Sequence, residues 1–107
     1  QPLGFSFNSG EIRAPFDGVL ALIAEHARSV VSIDIPSGWD VEAGPPAPPT
    51  PVISPALLIS LTAPKLCARA YTGAHYLAGR FVPQSLEQRH QLCLPTYPGT
   101  SQCIRLA

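Results

Sequence analysis

Residues 30–39, VVSIDIPSGW, constrain the chain most, because an apolar run there ends in a carboxylate and then breaks into a turn. Val30, Val31, Ile33 and Ile35 are β-branched, the type that suits a strand buried on both faces of a parallel sheet. The run therefore predicts a buried strand with Asp34 near its carboxyl end. Pro36 removes a ladder donor and Gly38 opens backbone angles that side chains resist, so the strand stops and turns there. Ligands of open α/β sheets bind outside the carboxyl ends of the strands, which places Asp34 and Ser37 to face one pocket. Two readings of Asp34 stand side by side: an acid that meets a ligand, or an acceptor of hydrogen bonds from its own turn.

Ahead of this strand, Pro15 suits the first turn of a helix. Phe16, Val19, Leu20, Ile23, Ala24 and Ala27 then recur at spacings of three and four, which predicts a helix with one apolar face. Asp17 near its start and Arg28 near its end complement the helix dipole, and His26 falls on the solvated side. A helix feeding directly into a strand is an α/β element. Residues 44–55 carry Pro45, Pro46, Pro48, Pro49, Pro51 and Pro55, which forbid helix and central strand and predict an extended surface connector. ALLISLT, residues 56–62, is a second buried strand, and residues 65–71 a short helix closed by Gly73. Residues 75–83, HYLAGRFVP, give a third strand interrupted by Gly79. After Pro83 comes a last short helix over 84–92, and Ile104 and Leu106 suggest a terminal edge strand.

Charge narrows the function classes. Seven basic residues balance seven acidic ones in 107, and no Lys or Arg stripe could track phosphates, so nucleic acid is not an expected partner. No apolar stretch is long enough to span a bilayer. Cys67, Cys93 and Cys103 are odd in number and, like His26, His75 and His90, lack metal-ligand spacing. Free thiols are expected, with a Cys93–Cys103 bridge open in an oxidising compartment. The chain has no Met and reads as one soluble piece of a domain. GFSFNSGEIR, residues 4–13, is a glycine-bounded loop whose backbone donors could cradle an anion, although it has neither the GxGxxG nor the Walker pattern.

The segments GFSF, IRAPF, SIDIPSGWDVEAG, LLISLTAPK and AGRFVP, in this order over nearly the whole chain, resemble the NAD(P)H-hydrate epimerase family, the YjeF N-terminal domain. GEIRAPF and the DVEAG ending are nearest to a vertebrate branch of it. The resemblance implies an α/β fold, a three-layer α/β/α Rossmann-like domain, of which this chain supplies only the carboxyl-terminal half. It implies a reaction that interconverts the R and S epimers of hydrated NADH or NADPH. By the same resemblance the loop Gly4, Phe5, Ser6, Phe7, Asn8, Ser9, Gly10 and Glu11 contacts the nucleotide. Asp34 contacts substrate and is the candidate catalytic group, and Ser37 is a potassium ligand, in keeping with a hard cation's preference for oxygen. In the family an Asn and an Asp that complete the potassium shell precede the position of Gln1, so the chain alone is expected to be inactive. The alternative that the resemblance offers is a non-catalytic module that binds apolipoprotein A-I and promotes cholesterol efflux. Family members are mitochondrial, cytosolic or secreted. With half a sheet missing, a buried strand becomes an exposed edge, and association into a homodimer is a further expectation.

Overall fold

The computed structural model describes residues 14–107. In chain order it contains α1 (Phe16–His26), β1 (Val31–Ile33), β2 (Leu57–Leu61), a 3-10 helix (Leu66–Ala70), β3 (Ala74–Ala78), α2 (Gln84–Arg89) and β4 (Cys103–Arg105). The four strands form one sheet in the order β1-β2-β3-β4. β1 and β3 both run parallel to β2, and β4 is antiparallel to β3. This is the α/β order expected of an incomplete Rossmann-like domain. No helix among the described residues is long and apolar enough to cross a membrane.

The helix begins where Pro15 predicts and ends at His26, beside Glu25 at 3.7 Å with both side chains in solvent. Its apolar face is less covered than its periodicity suggests. Leu20 is buried, but Phe16 and Val19 remain exposed. β1 corrects the expectation of a strand buried on both faces: Ser32 is fully buried, whereas Val31 and Ile33 are 50% and 45% exposed. The reason is position. β1 is the edge strand among the described residues, paired on one side only, and the described residues cover its Val31 and Ile33 only in part.

The two central strands bury alternate residues, Leu58 and Ser60 on β2 and His75 and Leu77 on β3, as a period of two requires. Ser60 pairs with Leu77 and Leu58 with His75, so Ser60 and His75 are diagonal neighbours on one face. Their side chains meet at 2.7 Å, Ser60 Oγ to His75 Nε2, which satisfies two buried polar groups that would otherwise be costly. The Tyr71 ring stands edge-on to His75 with centroids 6.2 Å apart. Burial holds the His75 imidazole below its usual pKa.

Each parallel strand leaves the sheet through a residue with left-handed backbone: Asp34 after β1 (φ 71°), Thr62 after β2 (φ 64°) and Gly79 after β3 (φ 83°). Gly79 thus ends its strand rather than interrupting it, and a side chain there would also meet the Phe81 ring. The predicted helix over 65–71 is instead a 3-10 turn that closes at Tyr71, before Gly73 is reached. The proline-rich stretch is mostly exposed, but its end is not a free connector. Ile53 and Pro55 are buried, and the Trp39 indole N–H donates to Ile53 O at 3.0 Å. Trp39, Ile35 and Cys67 form a small core flanked by Val41 and Tyr71. All three cysteines are free thiols, Cys67 buried and Cys93 and Cys103 exposed.

Two stability tests arise here. Because His75 titrates below its unfolded value, the unfolded chain takes the proton first as pH falls through about 6.5, and stability drops with acidification below that point. Urea midpoints measured between pH 7 and pH 5 should therefore fall less steeply for His75→Gln than for the parent. Thr62 is β-branched at positive φ, a strained combination. Thr62→Gly is expected to leave stability unchanged or raise it by up to about 1 kcal/mol; a loss larger than that, read from denaturation, contradicts the strain.

Candidate functional site

The loop residues Gly4, Phe5, Ser6, Phe7, Asn8, Ser9, Gly10 and Glu11 lie outside the described residues. Asp34 and Ser37 do not. Asp34 is the first residue past β1, at the carboxyl edge of the sheet, and its N–H donates to Ile59 O of β2 at 2.6 Å. The next N–H, of Ile35, turns back to Ile33 O at 3.0 Å. With Asp34 at φ 71°, this is the rarer, strained form of the γ-turn. The same device recurs after β2, where Ala63 N–H donates to Leu61 O at 2.7 Å around Thr62 at φ 64°.

Lys65 joins the two turns. Its ammonium donates to Leu61 O at 3.0 Å and Ala63 O at 3.2 Å, the two carbonyls that flank Thr62. The same nitrogen stands 2.7 Å from Asp34 Oδ1, with the Lys65 and Asp34 side chains 25% and 15% exposed. The contact with Asp34 is one of charge, because Oδ1 is buried and accepts no aligned hydrogen bond. Asp34 is thus held in direction by an adjacent cation, which compensates the charge on its buried Oδ1.

Ser37 sits in the turn that follows. Trp39 N–H donates to Pro36 O at 3.0 Å and Gly38 adopts φ 89°, the type II arrangement that needs a glycine in its third place. Ser37 is 2% exposed. Beyond it, Asp40 fixes the end of the segment: its carboxylate accepts from Glu42 and Ala43 N–H, both at 2.9 Å, and these two bonds hold its pKa below the usual carboxylate value. Cys67, packed beneath this segment, has its thiol pushed up by burial first and by the nearby Asp34 charge second, which makes it an unreactive thiol.

Of the residues singled out from sequence, Asp34 and Ser37 therefore share one turn region at the carboxyl end of β1. Among the described residues no group of three or more His, Cys, Asp or Glu could hold a metal. Lys65 is the residue that sequence reading missed. A lone lysine after Ala63-Pro64 has no spacing that points to Asp34, and only the parallel pairing of β1 with β2 brings the two together.

With this geometry in view, the relatives can be stated. Residues 3–67 match the model of the family described as YjeF-related protein N-terminus. The chain is 49% identical over 104 residues to the NAD(P)H-hydrate epimerase of Caenorhabditis elegans, covering 96% of this chain and 44% of that protein. It is also similar to the crystal structure of yeast ynu0, with a TM-score of 0.81 and 36% identity, over 96% of this chain and 43% of that one. The chain thus spans less than half the length of either relative. A family match over more than half its residues, ending on the lysine turn that carries Asp34's partner, shows that this chain belongs to the YjeF-related N-terminal family.

Proposed function

We propose that this chain carries part of the site of an NAD(P)H-hydrate epimerase-type domain, acting in the repair of hydrated NADH or NADPH. The observation that carries the reading is the Asp34 carboxylate, fixed 2.7 Å from Lys65 at the carboxyl edge of a parallel strand. The name of the 49% identical relative supports the substrate class. Inverting a carbon that bears a hydroxyl requires a bond to that carbon to break and re-form on the other face. Protonation eases departure of the hydroxyl, and deprotonation of water eases its return, so one carboxyl group that gives and takes a proton serves both directions. Asp34 is that group in this reading, and Lys65 is the residue that positions it. The loop from Gly4 to Glu11 would meet the anionic diphosphate through backbone donors.

Potassium is the cofactor that the family implies. Among the described residues Ser37 is the single expected oxygen ligand, and the Asp34 oxygen nearest Lys65 already faces a cation. One serine does not make a shell for a hard cation that takes several oxygens, so no step is assigned to the ion. The second reading, a non-catalytic module that binds apolipoprotein A-I, draws on exposed apolar side chains, Phe16 and Val19 on α1 and Val31 and Ile33 on β1.

The purified 107-residue chain should epimerise hydrated NADH negligibly with potassium present, when followed by separation of the two epimers. Turnover comparable with the Caenorhabditis elegans enzyme would overturn the incomplete-site reading. In a full-length family member, Asp34→Asn at the matching position should lower turnover about a hundredfold or more, a usual scale for acid-base groups, with little change in melting temperature. Normal turnover, or a loss explained by melting, assigns Asp34 to its turn alone.

A further inference from the structure

The proline-rich stretch carries two hydroxyls that are each followed by proline, Thr50 before Pro51 and Ser54 before Pro55. Both side chains are exposed, and in sequence the two look alike. The fold treats them differently.

Ser54 is pinned from both sides. The residue before it, Ile53, is 2% exposed, and its carbonyl accepts the Trp39 indole N–H at 3.0 Å. The residue after it, Pro55, is buried, and the next N–H, of Ala56, donates to Val30 O at 2.9 Å as the chain enters β2. Lifting Ser54 out of the surface would unseat two buried side chains and break both hydrogen bonds.

Thr50 lies instead in a span between two anchors. Gly44 exchanges backbone bonds with Asp40 at 2.8 and 3.1 Å on one side, and Ile53 is held by Trp39 on the other. Between them Pro45, Ala47, Pro48, Pro49, Thr50 and Pro51 are all exposed. The Thr50 N–H donates to Ala47 O at 3.2 Å, a long bond within one exposed turn. An enzyme that acts on a side chain within its own cleft takes segments that can lift from the fold at small cost, and exposed loop tips are where such attack concentrates.

The chemistry around Thr50 selects the kind of enzyme. Residues 43–64 carry no charged side chain, so a kinase that recognises flanking lysines and arginines, or acids beyond the acceptor, has nothing there to hold. What remains is the ring of Pro51. Proline has a fixed φ and no N–H, so a pocket that fits the ring and offers no backbone acceptor takes proline and excludes most other residues. We propose that Thr50 is a phosphorylation site for a proline-directed serine/threonine kinase, and that the fold withholds Ser54 from the same enzyme. In the transfer the Thr50 hydroxyl oxygen bonds to the γ-phosphorus of ATP, the bond from that phosphorus to the bridging oxygen of ADP breaks, and the hydroxyl proton passes to the kinase's catalytic carboxylate. The product carries a charge of roughly −1.5 to −2 at Thr50, on a chain whose formal net charge is +0. The proposal does not rest on the epimerase reading, since Thr50 can be modified whether or not the chain epimerises anything.

The test incubates the purified 107-residue chain with a proline-directed kinase, ATP and Mg²⁺, and maps the phosphate by mass spectrometry. A synthetic peptide of residues 44–57, in which neither hydroxyl is anchored, is the reference. In the peptide Thr50 and Ser54 should both be modified, whereas in the folded chain Ser54 should lag Thr50 by about tenfold or more, the scale set by breaking even one or two net hydrogen bonds. Thr50→Ser should keep the reaction and Thr50→Ala should abolish it at that position, with a urea midpoint like the parent's showing that the exposed substitution leaves the fold intact. Pro51→Ala should slow modification of Thr50 by about tenfold or more, through loss of the ring and gain of an N–H. A folded chain that takes no phosphate at Thr50, Ser54 modified in the folded chain as fast as Thr50, or a Pro51→Ala chain modified like the parent would each overturn the proposal.

Discussion

The carboxyl edge of the sheet depends on a backbone constraint: each of its parallel strands ends in a residue at positive φ, Asp34, Thr62 and Gly79 in turn. A positive φ throws the chain out of the pleat at once. At β1 and β2 the turn is so tight that the residue after next donates back to the last strand carbonyl. Such positions each cost on the order of 1–3 kcal/mol unless glycine occupies them, and they persist where their surroundings over-determine them. Asp tolerates the left-handed region better than most residues and Thr poorly. The edge is therefore built from one permissive residue, one tolerant residue and one strained residue, and the two that carry functional groups are the two that are not glycine.

Lys65 supplies the over-determination. A single ammonium bridges both carbonyls around Thr62 and the carboxylate of Asp34, so the turn at the end of β2 and the acid at the end of β1 are tied through one nitrogen. With both side chains largely shielded from solvent, the pair is screened less than a surface salt bridge. Direction at Asp34 is thus set from the neighbouring strand, not from its own turn alone.

Much of the fold was legible because its signals are local. Pro15 and the spacing of Phe16, Leu20 and Ile23 locate α1, and the apolar runs of β2 and β3 locate the middle of the sheet. What escaped reading depends on partners distant in sequence. The exposure of Val31 and Ile33 follows from the place of β1 at the edge of the described sheet, which no property of the strand itself reveals. Asp34 was legible as an acid at a strand end, but its lysine was not, because the two meet only through strand pairing. Thr62 at positive φ runs against residue preference, and the Arg80–Tyr97 contact joins a strand exit to the carboxyl-terminal stretch with no motif to announce it. The proline run was legible as irregular chain, whereas the burial of Ile53 and Pro55 was not, since docking depends on the indole that receives it.

That indole has an optical consequence. Trp39 is the sole tryptophan of the chain, 5% exposed, with its N–H bound to Ile53 O. Its emission colour and quenching are therefore a local gauge of whether the end of the proline-rich segment is seated on the Ile35–Cys67 core. The helices and the β2–β3 pair contribute instead to far-ultraviolet dichroism. Detachment of that segment alone would redden the fluorescence and leave the dichroism in place, so the molecule carries its own means of telling a loop that lifts from a sheet that melts.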